Sequence, residues 1–256
     1  MNAAPGFKDH FSGHSAGDAR ARPVYPDALF AWLATLPRSR DAAWDCGTGT
    51  GQAARALAPH FRRVIATDAS ANQASKAART PGVLYAAAPA ERAPLRAASV
   101  DLITVAQALH WFDFPAFFAE AARVARPGGA FAAWSYGNCR VNTEIDRVYF
   151  RLYDGIVGPY WPPERAHVEN GYASIPMPFP PFAPIAAPEL AIEADWDMEE
   201  FIAYLETWSA VQYYRKAGLG DPIALIRADL ARAWGDPVAT RRIRWPVVIK
   251  AGKVDG

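Results

Sequence analysis

The sequence is short of cysteine, of net charge and of long apolar runs, and each shortage excludes a class of protein. Two cysteines, Cys46 and Cys139, in 256 residues cannot build the disulfide framework of a secreted scaffold. Cys46 falls in a predicted strand and reads as a small buried residue. No apolar run approaches the ~18 residues of a membrane span. Met1 to His14 lacks the apolar core of a signal peptide, so a cytoplasmic location is expected. A net charge of +1 offers no basic footprint for nucleic acid. No metal site is expected: His10 and His14 are separated by a Ser-Gly stretch, and His60 and His167 have no ligand pattern around them.

Glycine is placed where it carries information. Ala43-Trp44-Asp45-Cys46 is followed by Gly47-Thr48-Gly49-Thr50-Gly51, and Asp68 comes 17 residues after Gly51. The pattern predicts a buried strand over 42–45, a glycine loop, and a helix starting near Gln52. Glycines allow backbone conformations that a Cβ forbids and let a ligand approach the main chain. The free N–H groups at the helix start favour a negative group. A second strand over 63–67 ends in Asp68, whose carboxylate can accept hydrogen bonds from both hydroxyls of a ribose. Loop and acid together imply a nucleoside ligand. The dinucleotide fingerprint wants a glycine or alanine where this chain has Gln52, so the spacing suits a ligand without a pyrophosphate.

Around this core, strand and helix patterns alternate. A helix from Tyr25-Pro26-Asp27 to about Leu36 buries Leu29, Trp32, Leu33 and Leu36. Ser70 caps a helix to about Arg79, and strands follow at 83–87 and 99–106. Asp113 caps a helix with Pro115 in its first turn. Arg126-Pro127-Gly128-Gly129 stops that helix, and 130–135 forms a fifth strand. Such alternation implies right-handed crossovers and a parallel sheet. Residues 142–157 suit a helix. Nine prolines between Pro159 and Pro188 predict an irregular, stiff excursion, and its aromatics argue against disorder. A strand over 190–196, a helix over 198–215, a helix from Asp221-Pro222 to Gly235 and a last strand over 242–250 complete the chain. Pro246 favours an edge or bulge for that strand.

With these elements in place, the chain resembles the class I S-adenosylmethionine-dependent methyltransferases over nearly its whole length. Asp45-Cys46-Gly47-Thr48-Gly49-Thr50-Gly51 is similar to their first motif, Asp68 to their ribose acid, and Arg126-Pro127-Gly128-Gly129 to the turn before their fifth strand. Ala106-Gln107-Ala108-Leu109-His110-Trp111-Phe112 resembles a subgroup that includes the trans-aconitate-type small-molecule enzymes. Arg22-Pro23-Val24-Tyr25-Pro26 and Thr207-Trp208-Ser209-Ala210 extend the likeness to both ends.

The resemblance implies an α/β, Rossmann-like, mostly parallel sheet of seven strands, helices on both faces and the last strand antiparallel. A single domain over 1–256 is expected, with residues 1–22 as a mobile arm or lid and 137–189 as a Pro- and aromatic-rich cap. S-adenosylmethionine is the implied cofactor. Asp45, Gly47, Thr48, Gly49 and Gly51 would face its methionine part, Asp68 and Ala69 its ribose, Ala90 and Glu91 its adenine. Ala106 and Gln107 complete the cofactor set. Pro89 stands where many relatives have aspartate, leaving Glu91 or a backbone carbonyl as acceptor for the adenine amino group. A tyrosine common near Asp18 is absent, leaving Phe7, Phe11 and His14 as lid candidates.

Methyl transfer from a positive sulfur needs no acid for its leaving group, so no triad is expected. His110 is the candidate for a proton role, as a base or as a hydrogen-bonding group that fixes the loop. Trp111, Tyr136, Trp161, Arg165 and Tyr213 are the candidate acceptor residues. Arg165 reads either as a bidentate clamp on an acid or as a surface cation paired with Glu164 or Glu169. The acceptor is expected to be a small molecule, a carboxylate or a hydroxyl, with no nucleic acid or membrane partner. The sequence sets no oligomeric state. Two rival readings stand beside this one: an NAD(P)-dependent oxidoreductase, and a non-catalytic cofactor-binding scaffold of the same fold.

Overall fold

A computed structural model describes residues 22–177 and 181–254. The expected arm over 1–22, with its candidates Phe7, Phe11 and His14, lies outside the described residues except for Arg22. The first half of the chain alternates strand and helix: α1 (Asp27–Leu33), β1 (Ala42–Cys46), α2 (Gln52–Leu57), β2 (Arg63–Asp68), α3 (Ala71–Lys76) and β3 (Val83–Ala87). It continues with β4 (Val100–Ala106), α4 (Phe114–Val124) and β5 (Ala125–Tyr136). Local chemistry sets the boundaries. The Ser70 hydroxyl accepts from the Gln73 amide, and the Asp113 carboxylate accepts from the Ala116 amide, satisfying donors that helix starts leave open.

Strands run in the order β3-β2-β1-β4-β5, all parallel. β8 (Arg241–Val254) then adds antiparallel to β5. Two strands share the far edge of β8: β7 (Leu190–Trp196) pairs its first half and β6 (Phe182–Ile185) its last residues. Seven positions across the sheet are thus filled by eight strands, one more than the resemblance implied. The extra strand arises inside the proline-rich stretch. Pro184 lacks a ladder donor, but β6 is an edge strand with one neighbour, where proline is tolerated. Pro246 pairs only with β7, because the β5 ladder ends at Tyr136↔Val247.

Alternate strand residues feed two cores, one on each face. Ala43, Leu102, Ala132 and Trp134 pack with α1, α2 and the later helices. Trp44, Ile103, Phe131 and Ala133 pack with Phe117, Phe118 and Val124 of α4. This is the period of two along each strand.

Between β5 and β7 the chain forms α5 (Thr143–Phe150), a π-helical turn (Arg151–Ile156) and α6 (Arg165–Glu169). The helix expected over 142–157 therefore widens at its C-terminal half. The single helix expected over 198–215 is two, α7 (Met198–Glu206) and α8 (Ser209–Lys216). The break has a local cause. The Thr207 hydroxyl donates back to the Tyr204 carbonyl at 2.8 Å, and Trp208 turns extended (φ −69°, ψ 132°). Its ring then packs 5.2 Å from Tyr149 and 5.5 Å from both Tyr153 and Trp161. α9 (Ala224–Trp234) precedes β8. Among the described residues, no helix is long and apolar enough to cross a membrane.

Candidate active site

The strand order reverses direction between β1 and β4. Open α/β sheets form their ligand crevice beyond the carboxyl ends of the strands at such a point. The glycine loop lies there. Gly47, Gly49 and Gly51 all have positive φ (69°, 56° and 83°). At Gly51 a Cβ would come 2.5 Å from the Tyr85 hydroxyl, and at Gly47 2.7 Å from the Ala108 Cβ, whereas at Gly49 it would meet no described residue within 4 Å. Among the described residues the loop is therefore packed at Gly47 and Gly51 and open at Gly49.

Two carboxylates hold it. Asp45 is fully buried; its Oδ2 accepts from the Thr48 hydroxyl at 2.5 Å and its Oδ1 from Thr104 of β4 at 2.8 Å. Burial pushes its carboxyl up to about 6, against the pull of those hydroxyls. Asp68 grips the loop from β2: Oδ2 accepts from the Gly49 amide and Oδ1 from the Ser70 amide, each at 2.8 Å. The Thr48 amide donates to the Thr67 carbonyl at 2.9 Å. Ala69, next to Asp68, is exposed.

Gln107 follows β4 with φ +53°. Its side chain clasps the Tyr136 backbone at both ends, accepting from the amide at 2.9 Å and donating to the carbonyl at 3.1 Å. Ala106, one residue earlier, is half-buried. The β4 and β5 ends are thereby locked side by side. Ala90 is buried in the second core. Glu91 accepts from the Asp113 amide at 3.1 Å, so this carboxylate also steers the entry of α4.

His110 is buried; its Nδ1 lies 3.0 Å from the Tyr172 hydroxyl and its ring 4.8 Å from that of Trp111. Burial, helped by the charge of Arg165, drives the imidazole down to about 3. At neutral pH it is an uncharged hydrogen-bonding group of low basicity. Tyr172 has φ +60°. Of the three described non-glycine residues with positive φ, Gln107 and Tyr172 both stand at this site, where backbone strain tends to collect.

Arg165 is not a surface cation: its side chain is 17% exposed, and Glu169 stands 4.0 Å from its Nε. It lies over the rings of Trp161 at 4.8 Å and Tyr153 at 5.4 Å. Its charge acts on the expected residues His110 and Tyr136, and also on Tyr172, which was not among them. A cleft of about 400 Å³ opens beside it, bordered by Tyr153, Trp161, Pro162, Pro163 and Glu169. Tyr213 is half-buried on α8 beneath the Lys216 Nζ at 5.7 Å. Sequence reasoning missed Tyr172, Asn138 and Tyr153. Each meets its partner across 11 to 62 residues, and no local pattern marks such contacts.

The sheet order, the loop and the two carboxylates fit comparison with known proteins. A family model described as a methyltransferase domain matches residues 44–133. A Dictyostelium discoideum protein with a provisional methyltransferase assignment is 34% identical, covering 89% of this chain and 87% of its own. This chain belongs to the methyltransferase family. A solved structure from Anaeromyxobacter dehalogenans, provisionally assigned as a type II methyltransferase, is 49% identical. That alignment covers 91% of this chain and 98% of the other, with a TM-score of 0.85. An uncharacterised methyltransferase from Mycobacterium tuberculosis is 34% identical over 62% of this chain and 61% of its own length.

The cofactor that this methyltransferase takes is S-adenosylmethionine. The residues present fit it: a glycine loop that no described residue crowds at the Gly49 Cα, and a carboxylate at the end of β2 that holds the Gly49 amide. Neither feature requires a pyrophosphate partner.

Proposed function

We propose that this methyltransferase moves the methyl group of S-adenosylmethionine to a small-molecule acceptor, a carboxylate or a hydroxyl. The observation that carries the reading is Asp68 tied to Gly49 at the strand-order reversal. In it Asp68, with Ala69 beside it, holds the ribose. Gly47, Thr48, Gly49 and Gly51 receive the methionine part, with Asp45 bracing the loop from beneath. Ala90 and Glu91 border the adenine, and Ala106 and Gln107 border the reacting end.

When bound, the cofactor supplies a methyl group on a positively charged sulfur. The chain's task is then to align acceptor and methyl and to keep water out. Holding reacting atoms ~3–3.5 Å apart is worth up to about 7–11 kcal/mol. Trp111, Tyr136, Trp161 and Arg165, with Tyr213 further out, wall the acceptor space, and residues 137–177 roof it as a cap, while 182–185 of the expected cap form β6 at the sheet edge. His110 serves as a hydrogen-bonding anchor on Tyr172 rather than as a base, since its basicity is far below neutrality.

The test is transfer of isotope-labelled methyl from S-adenosylmethionine to a library of small acids and alcohols. Label appearing in an acceptor, and lost in Asp68→Ala while the chain stays folded, supports the reading. Unchanged cofactor affinity in Asp68→Ala would sink the ribose assignment. A chain that binds the cofactor and transfers to nothing would favour the scaffold reading.

A further inference from the structure

Among the described residues, the charge of Arg165 is paired only loosely, with Glu169 at 4.0 Å. Its Nε donates to the Tyr153 hydroxyl at 2.8 Å, and its Nη2 reaches Asn138 Oδ1 only at 3.5 Å. Its Nη1 makes no hydrogen bond among the described residues. The nearest carboxylate, Glu169, is 4.0 Å from Nε and 46% exposed, and its Oε1 is taken by the Tyr153 hydroxyl. Burying a cation without a close anion is costly. A guanidinium offers five donors in a planar fork, so most of its capacity is unused.

The surroundings keep it that way. The π-helical turn widens the chain at Arg151–Ile156 and so presents Tyr153, which stands between Arg165 and Glu169. Such turns recur at functional sites. Asn138, just past β5, accepts from the Tyr149 hydroxyl at 2.9 Å. Its amide NH2 makes no hydrogen bond among the described residues. The guanidinium is thus braced by the rings of Tyr153 and Trp161, and its charge reaches His110 and Tyr136.

We propose that Arg165 and Asn138 together form the receptor for a carboxylate on the methyl acceptor. The fork of Arg165 meets the two carboxylate oxygens, and the Asn138 amide adds a donor that fixes their plane. The inference rests on the methyl-transfer reading and narrows the acceptor there to a molecule that carries a carboxylate. With the local imidazole neutral and weakly basic, the site also favours an acceptor that arrives already ionised.

The test uses the full chain saturated with S-adenosylhomocysteine. Acetate, hexanoate, benzoate and phenylacetate are each compared with the primary amide of the same shape, and methyl phosphate is added as a second anion. Binding is read by ligand-detected NMR. At least one acid should bind about tenfold or more tighter than its amide, the range of a hydrogen bond to a charged group. Arg165→Met should bring that ratio to about one. Asn138→Asp, which places a carboxylate beside the guanidinium, should do the same. Affinity for S-adenosylhomocysteine should hold in both variants, and both should stay folded, Arg165→Met with an equal or higher melting temperature. Retained S-adenosylhomocysteine binding with no preference of acid over amide would overturn the receptor alone. A preference for methyl phosphate would overturn the carboxylate assignment. Failure of wild-type protein to bind S-adenosylhomocysteine would overturn the reading on which it rests.

Discussion

Gly51 shows how little room single residues have in this site. Its φ of +83° and the Tyr85 hydroxyl 2.5 Å from where a Cβ would stand both oppose any side chain. Gly51→Ala should cost about 1–3 kcal/mol, from left-handed strain and overpacking. The Tyr85 hydroxyl is buried without a partner among the described residues. Adding Tyr85→Phe should therefore recover part of the loss, and a double-mutant cycle in urea measures how much. Additive penalties would show that the two residues do not meet.

Two buried titratable residues make opposite predictions for pH. Asp45 is raised to about 6, so its proton stabilises the fold, and stability falls as pH climbs from its unfolded value near 4 to 6. His110 is lowered to about 3, so stability is full above its unfolded value near 6.5 and is lost as pH falls. Between pH ~4 and ~6 each slope is about 1.4 kcal/mol per pH unit, and the signs cancel. Removing one unmasks the other. Relative to wild type, Asp45→Asn should lose stability toward acid across that window, and His110→Gln should gain it. Urea unfolding at pH 4.5, 5.5 and 7 reads both; parallel curves for the three proteins would contradict the assignment.

At the scale of elements, the clasp of Gln107 on Tyr136 aligns the ends of β4 and β5. Gln107→Ala removes two hydrogen bonds and should cost about 1–3 kcal/mol. Hydrogen exchange at the Tyr136 amide should speed up well before that of Ala132 in the middle of β5. Uniform loss of protection along β5 would mean that the clasp is not local.

The first half of the fold was legible in the sequence because its signals are local. Strand, glycine loop, Asp68, and the Ser70 and Asp113 caps each fix an element within a few residues. The Arg126-Pro127-Gly128-Gly129 turn, expected to precede a strand over 130–135, instead falls within β5 (Ala125–Tyr136) as an irregularity of its ladder with β4. The second half was read less well. Thr207 and Trp208 carry no breaker signature, and the helix ends there because the tryptophan ring finds an aromatic cluster built from residues 149–161. β6 was hidden in a proline-rich run, since an edge strand does not need every donor. The site divides the same way. The motifs read for the cofactor are contiguous in sequence, whereas the acceptor side proposed above is assembled from β5, the π-helical turn and α6, which only the folded chain brings together.

For the whole molecule, ligand binding and stability are one quantity. A ligand held by the folded state alone adds RT ln(1 + [L]/Kd), about 2.7 kcal/mol at a hundredfold excess over Kd. For a chain of 256 residues this should raise the melting temperature by roughly 5–11 °C. S-adenosylhomocysteine should produce that rise in wild type and a smaller one at equal concentration in Asp68→Ala, whose loop has lost its grip on β2.

The central claim is that the crevice between β1, β2 and β4 holds S-adenosylmethionine through its glycine loop and Asp68. Calorimetric titration of the purified protein with S-adenosylmethionine and S-adenosylhomocysteine, beside NADH, tests it most directly. The account predicts saturable binding of both sulfur ligands, about tenfold or more weaker in Asp68→Ala, and no heat from NADH. Silence from both sulfur ligands, or NADH binding as tightly as they do, would contradict it.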